Sequence, residues 1–101
     1  MNKSNLNFGD ALEALKNGQK VSREGCNGKG MFVFMQVPAS IDPEIIPKMT
    51  SLPQSVKDEF QKRGEPIHYS NQLALVNTKN EINGWAPSVS DSLSEDWCIL
   101  D

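Results

Sequence analysis

The stretch FGDALEALKNGQKVSREGCNGKGM, residues 8–31, contains the signals that decide the fold. Apolar residues recur in its first half at the i, i+3, i+4 and i+7 spacing of one helix face. Asn7 can cap the start of this helix, and Gly18 suits the position after its end. We therefore predict a helix over residues 8–17. The predicted apolar face consists of Phe8, Ala11, Leu12 and Leu15.

The second half of this stretch predicts a strand, a loop and another strand. Residues 20–23 place one β-branched residue among polar ones, which favours an edge strand. Residues 24–30 contain three glycines and an asparagine, a composition typical of a loop with special backbone angles. Residues 31–37 are apolar and rich in phenylalanine and valine, so we predict a strand that is buried on both faces.

The middle of the chain is rich in proline. Four of the six prolines lie in residues 38–53, which argues against regular sheet in that segment. Residues 53–63 then predict a short helix that ends at Gly64. Ser51 and Gln54 have the spacing of a capping box for the start of this helix.

Short strands are predicted in the second half of the chain. They cover residues 67–69, 73–76 and 97–100, with a hairpin tip at residues 79–80. The order of elements predicts an α+β fold, with a small antiparallel sheet, an N-terminal helix and a short middle helix. We expect residues 1–101 to form a single ligand-binding domain.

Composition limits the classes of partner. The chain has 13 acidic and 10 basic residues, for a net charge of −3. Long nucleic acid is not an expected partner, because binding a polyanion requires clustered positive charge, although local donors can hold one small phosphate ligand. No apolar run approaches the roughly 20 residues of a membrane span. Residues 1–7 lack the apolar region of a secretory signal, so we expect a cytoplasmic protein that does not bind membranes.

The residue types typical of catalysis are scarce. His68 is the single histidine, and no cysteine pair has the spacing of zinc ligands. Cys26 is interpreted as an unreactive thiol, because a cysteine nucleophile usually needs a base such as His68 that the sequence cannot place nearby. Ser92 and Glu95 fit a capping box, which we prefer to an acid–base role. We predict no enzymatic activity, no bound metal and no cofactor.

Two features could instead bind an anionic small molecule. The backbone N–H groups of residues 25–30 can surround a phosphate, with Lys29 adding charge, although a plain hairpin turn would look the same. The spacing is not that of a P-loop, because no serine or threonine follows the lysine. Trp85, in an irregular segment near Pro87, can either stack on a base or fill the core. Trp97 is expected to be a core residue.

These motifs resemble a known family. The pattern FGxALxALKxGxKVxRxGxNGKGM at residues 8–31 is similar to the N-terminal signature of the phage Thoeris anti-defence 2 proteins. The pattern GWxPSxxDxLxxDW at residues 84–97 resembles the C-terminal block of that family. The two blocks lie near opposite ends of the chain and together cover under half of it.

The resemblance implies a sponge that acts without chemistry. Such a protein binds a cyclic ADP-ribose isomer made by the TIR-domain enzyme of Thoeris immunity and keeps it intact, so that the downstream effector stays off. Related members also capture the cyclic oligonucleotide signals of CBASS immunity. The resemblance further implies a homotetramer with ligand sites between subunits, in the cytoplasm of the infected bacterial host.

The expected ligand contacts combine this resemblance with the chemistry of the side chains. The loop amides and Lys29 would hold the pyrophosphate, with help from Arg23, because a guanidinium pairs well with phosphate oxygens. Trp85 would stack on a base, and Phe8 would line the pocket from a neighbouring subunit. The polar residues would bond ribose hydroxyls or base edges. The full set is Phe8, Arg23, Cys26, Asn27, Gly28, Lys29, Trp85, Ser88 and Asp91.

Cys26 departs from the family pattern, in which a tryptophan at this position is expected to stack on the purine of the ligand. Losing a base stack costs roughly 1–3 kcal/mol, so either another aromatic residue compensates or the preferred ligand differs. This departure raises a first alternative, a sponge for cyclic di- or trinucleotides. Two further alternatives stay open: an enzyme that hydrolyses the signal, which the lack of a histidine or metal cluster argues against, and a direct protein inhibitor of an immune effector that uses residues 38–64.

Overall fold

The computed structural model of the protein describes residues 3–24 and 30–101, and it confirms the predicted α+β class. The chain divides into two compact units, one formed by Met1–Gln36 and Gln72–Asp101 and the other by Val37–Asn71. That residues 1–101 act as one ligand-binding domain stays a prediction. Within the described ranges, every helix is too short or too polar to cross a membrane.

The elements alternate between helices and short strands along the chain. The helices are α1 (Phe8–Lys16), α2 (Gln54–Arg63) and α3 (Val89–Leu93), with a 3₁₀ turn at Ile46–Lys48. The strands are β1 (Lys20–Arg23), β2 (Phe32–Met35), β3 (Ala39–Ile41), β4 (Ile67–Tyr69), β5 (Leu73–Val76), β6 (Ile82–Gly84) and β7 (Trp97–Leu100).

Helix α1 follows the sequence prediction closely. The side chain of Asn7 accepts a hydrogen bond from the backbone N–H of Asp10 at 2.8 Å, which satisfies one of the free donors at the helix start. The helix ends at Asn17, and Gly18 follows with a φ of 84°, a conformation that a side chain would disfavour. The predicted apolar face packs against the sheet, with Ala11 and Leu15 buried.

The first unit contains a five-stranded antiparallel sheet in the order β6-β5-β2-β1-β7. The prediction that β1 is an edge strand was wrong, because Val21 lies opposite both Val33 of β2 and Ile99 of β7. Side chains of a strand alternate between faces, so Val21 enters the core and its polar neighbours point the other way. The hydrophobic core consists of Ala11, Ala14, Leu15, Val21, Val33, Trp97 and Ile99.

Strand β2 is shorter and less buried than predicted. It covers four residues, and only Val33 among them is fully buried. Val37, which was expected to belong to a doubly buried strand, lies beyond the end of β2 and is 83% exposed. An apolar run therefore indicated the strand correctly, but it did not indicate how much of each face is covered.

The N-terminal segment covers one edge of the sheet. The backbone N–H of Leu6 donates to the carbonyl of Trp97, and the N–H of Trp97 donates back to Leu6, both at 3.0 Å. The N–H of Ile99 donates to the carbonyl of Lys3 at 2.8 Å. These bonds pair backbone groups of β7 that would otherwise form an open edge.

The second unit holds the two-stranded sheet of β3 and β4, together with helix α2. The prediction that its proline-rich part lacks sheet was wrong. Strand β3 lies between Pro38 and Pro43, so its own three residues keep the N–H groups that a ladder needs. The capping box predicted for α2 was also wrong. Pro53 occupies the cap position, and the Gln54 side chain donates instead to Asp58 at 2.9 Å.

The other predictions of secondary structure are confirmed. Strands β4, β5 and β7 have the predicted bounds, and α2 ends at Gly64 with a φ of 69°. Asn80 at the predicted hairpin tip has a φ of 63°. The Asn77 side chain accepts hydrogen bonds from the N–H groups of Lys79 and Glu81, which closes that turn.

The buried face of α1 provides the first testable prediction. Leu15 is 1% exposed, so Leu15→Ala leaves a cavity and is expected to lower the free energy of unfolding by about 2–5 kcal/mol. Leu93 is 77% exposed, and Leu93→Ala is the matched control, with an expected change within about 0.5 kcal/mol. Urea unfolding followed by tryptophan fluorescence measures both, and equal losses in the two variants would contradict the core assignment.

Candidate functional site

The expected ligand contacts fall into two groups. Cys26, Asn27, Gly28 and Lys29 lie outside the described residues. The other five are described and come from four parts of the first unit: the first turn of α1, the end of β1, the segment after β6, and the start of α3. These five residues are Phe8, Arg23, Trp85, Ser88 and Asp91.

Arg23 links the end of β1 to the region around α3. Its Nε donates to Oδ1 of Asp96 at 2.9 Å, and its Nη1 donates to Oδ1 of Asp91 at 3.1 Å and to Oγ of Ser90 at 3.2 Å. The Arg23 side chain is only 12% exposed. The guanidinium thus forms charge-assisted hydrogen bonds inside the protein, whereas the sequence prediction had directed it toward a phosphate.

Ser88 and Asp91 cap helix α3. Oγ of Ser88 accepts from the N–H of Asp91 at 3.0 Å, and Oδ2 of Asp91 accepts from the N–H of Ser88 at 2.9 Å. The capping box predicted at Ser92 and Glu95 was wrong, since α3 has already ended at Leu93 and Oγ of Ser92 donates to the carbonyl of Ser88. The same Ser-x-x-acid spacing occurs at both places, and the earlier one forms the box.

The two carboxylates that face Arg23 are acids of increased strength. Burial raises the pKa of Asp91, but hydrogen bonds from the N–H of Ser88 and from Arg23 outweigh it, so this pKa lies below the ordinary value of 3.8. The hydrogen bond from Arg23 lowers the pKa of Asp96 from the same ordinary value. Both groups are therefore charged at neutral pH. In the described parts of the chain, no group of three or more acidic, histidine or cysteine side chains could hold a metal ion.

An aromatic cluster adjoins these charges. The ring of Phe8 lies 5.6 Å from that of Trp97 and 6.4 Å from that of Trp85, between centroids. The two indoles meet edge to face at 6.0 Å. Trp97 is fully buried, as predicted, and its Nε1 donates to the carbonyl of Asp91 at 2.9 Å. Phe8 and Trp85 are half-buried, so each ring both packs on the core and keeps some accessible surface.

The described residues beside the glycine-rich segment are held by backbone interactions. The N–H of Glu24, just before that segment, donates to the carbonyl of Asp96 at 3.0 Å. Gly30, just after it, has a φ of 89°.

Sequence reasoning missed Asp96 and Ser90 as part of this site. The quoted C-terminal block contained Asp96 beside Trp97, but nothing in it indicated a partner on β1.

A separate cleft of about 430 Å³ runs along helix α1. Its apolar wall includes Leu6, Ala14 and Ile99, and Asp10 and Glu13 lie on its polar side. Among the described residues, none of the expected ligand contacts lines this cleft. We therefore place the candidate site at the aromatic and charged cluster and not at this cleft.

Fold and site together define a small α+β protein with an aromatic cluster and an internal ion-pair network. The model of the Thoeris anti-defense 2-like domain matches residues 6–100. Thoeris anti-defense 2 of Bacillus phage SP01 is 34% identical over 99 residues, which cover 97% of this chain and 98% of that protein. The chain belongs to the Thoeris anti-defense 2-like family, and the resemblance seen in the two sequence blocks is confirmed.

The lowered pKa values of Asp91 and Asp96 predict how stability depends on pH. A carboxylate whose pKa is lower in the folded state stabilises that state above the ordinary pKa, and this contribution is lost as pH falls from 3.8 through the folded-state value. Arg23→Gln removes a shared cause of both shifts. We expect the variant to be less stable at neutral pH and to lose less of its remaining stability on acidification.

Urea unfolding at a series of pH values measures this difference. Lys62→Gln on the exposed surface of α2 is the control, because it removes the same charge from a residue that is not a cause of either pKa shift. If the free energy of unfolding falls with the same slope on acidification in the wild type and in Arg23→Gln, then Arg23 does not lower these pKa values.

Proposed function

We propose that this protein is a phage anti-defence sponge, which binds a cyclic ADP-ribose isomer of Thoeris immunity and holds it without cleaving it. The observation that carries the proposal is the family match over residues 6–100, with 34% identity to the phage SP01 protein across nearly both lengths. A bound signal cannot reach its sensor, so the immune effector stays off in the cytoplasm of the infected host.

The aromatic cluster supports recognition of a base. Phe8 and Trp85 are half-buried side by side, and a ring held by core packing loses little freedom when a ligand stacks on it. Stacking of a base on an aromatic side chain contributes about 1–3 kcal/mol. The amides of residues 25–30 and the charge of Lys29 would hold the phosphates, while Asn27 and the polar groups around α3 would bond the ribose or base edges.

A sponge has to bind tightly, because it competes with a sensor that responds to low signal concentrations. A nanomolar dissociation constant corresponds to about −12 kcal/mol, which an enclosed site with stacking and charged hydrogen bonds can reach. We propose that a homotetramer encloses the ligand between subunits, and that Phe8 lines the site together with Trp85 of its own subunit. Ile82 and Val89 of the first unit are exposed apolar residues that association would cover.

Release of intact ligand is the direct test. The protein is incubated with the cyclic ADP-ribose isomer, freed of unbound ligand and heated, and the supernatant is analysed by mass spectrometry. We expect the unaltered signal in the supernatant, whereas a cleaved product would establish a hydrolase instead. Protein denatured before the incubation is the control, and it should retain no ligand.

A cyclic di- or trinucleotide is the second candidate ligand, and Cys26 is the residue that favours it. The Thoeris anti-defence 2 family usually has tryptophan at this position, and a cysteine offers no flat surface for a purine. Sponges for the two ligand classes would look alike in the release experiment, so affinities must separate them.

The Cys26→Trp variant tests which ligand the site prefers. If the cyclic ADP-ribose isomer is the ligand, the added ring should raise its affinity by about 5–150-fold, which corresponds to the roughly 1–3 kcal/mol of one base stack. Isothermal titration with both ligand classes measures this. Cys26→Ser, which adds no aromatic surface, is the control. Tight binding of a cyclic oligonucleotide that Cys26→Trp weakens would favour the second candidate.

A further inference from the structure

Asp96 joins the end of β1 through two different groups. Its carboxylate accepts hydrogen bonds from Nε and Nη2 of Arg23 at 2.9 and 3.5 Å. Its backbone carbonyl accepts from the N–H of Glu24 at 3.0 Å. Asp96 therefore holds both the side chain of Arg23 and the backbone of Glu24 at the end of β1.

We propose that Asp96 is a positioning residue of the ligand site, and that it holds Arg23 as an internal cross-link and not as a phosphate ligand. The proposal rests on the sponge function, because it concerns how that same site is held. It assigns a role to a residue that the expected set of ligand contacts did not include.

The local charge supports this assignment. One guanidinium faces two carboxylates, Oδ1 of Asp91 at 3.1 Å and Oδ1 of Asp96 at 2.9 Å, and both are ionised at neutral pH. A phosphate that approached Arg23 would meet these two negative charges at close range. Nε and Nη1 of Arg23 already donate to groups that hold α3 to β1.

Asp96 also connects the end of β1 to the aromatic cluster. Asp96 immediately precedes Trp97, whose buried ring packs on Phe8 and Trp85 and whose Nε1 donates to the carbonyl of Asp91. Anchoring Glu24 to Asp96 therefore sets the end of β1 relative to the two half-buried rings. Supporting groups of this kind hold binding residues in their productive geometry.

The two possible roles of Arg23 predict opposite effects of one substitution. If Asp96 positions the site, Asp96→Ala should weaken ligand binding by about tenfold, the lower end of what loss of a supporting partner costs at metal sites. Asp96→Asn keeps an acceptor for Arg23 and should lie between Asp96→Ala and the wild type. If Arg23 binds phosphate directly, both variants free the guanidinium and should bind an anionic ligand more tightly.

Titration of the cyclic ADP-ribose isomer and a cyclic dinucleotide into each variant measures this difference. Glu95→Gln is the matched control, because it removes one negative charge from the adjacent exposed position and should leave affinity unchanged. The positioning role is overturned if Asp96→Ala binds as well as or better than the wild type, or if Glu95→Gln loses as much affinity.

Hydrogen exchange of the ligand-free protein separates this inference from the proposed function. Loss of the Asp96 side chain should speed exchange at the N–H of Glu24 and at Nε1 of Trp97, while Glu95→Gln should not. If the wild type binds neither nucleotide, the sponge proposal fails, and exchange alone decides whether Asp96 anchors the strand end. Unchanged exchange in Asp96→Ala and Asp96→Asn would overturn the anchoring role itself.

A double variant adds one more check on the mechanism. If Arg23 and Asp96 act as one cross-link, then combining Arg23→Gln with Asp96→Ala should weaken binding no more than the larger single change does. Additive losses would show that the two residues act on the ligand independently, which contradicts the proposal.

Discussion

The indole N–H of Trp97 imposes the constraint on which the candidate site depends. The large ring is fully buried, but a buried N–H still requires an acceptor. The backbone carbonyl of Asp91 supplies it at 2.9 Å, and this bond places helix α3 next to the start of β7. The rings of Phe8 and Trp85 pack on the same indole, so the two half-buried aromatic residues are positioned by a side chain that is itself inaccessible. One polar atom in an apolar core thus decides where α3 and its capping box lie.

The ion pairs of Arg23 connect β1 to α3 and to the residue that precedes β7. Exposed ion pairs contribute little to stability, whereas a guanidinium that is mostly buried would cost free energy if it lacked partners. Asp96, which lies 73 residues later in the sequence, supplies such a partner, together with Asp91. Several acceptors around one planar group restrict its orientation more than a single ion pair would. The end of β1 is therefore fixed in direction as well as in position, and the glycine-rich segment begins from that fixed end.

Local patterns predicted the features that local interactions decide. The apolar spacing, Asn7 and Gly18 together predicted helix α1, because the helix face and both caps lie within a dozen residues. The edge position assigned to β1 was wrong because its second neighbour, β7, lies near the other end of the chain. The sequence contains two Ser-x-x-acid patterns, at Ser88 and at Ser92, and a tertiary contact distinguishes them. The pattern at Ser88 forms the capping box of α3, and the Asp91 carbonyl of that helix accepts the hydrogen bond from Trp97. The role of Asp96 could not be predicted for the same reason.

The two sequence blocks that resemble the family, residues 8–31 and 84–97, are also the segments that meet in space. Arg23 from the first block contacts Asp91 and Asp96 from the second, and Phe8 packs on both tryptophans. This frame, formed by Arg23, Asp91, Asp96 and the aromatic cluster, is built from residues outside 25–29. Since none of these contacts uses position 26, a chain with cysteine there can still belong to the family by its frame.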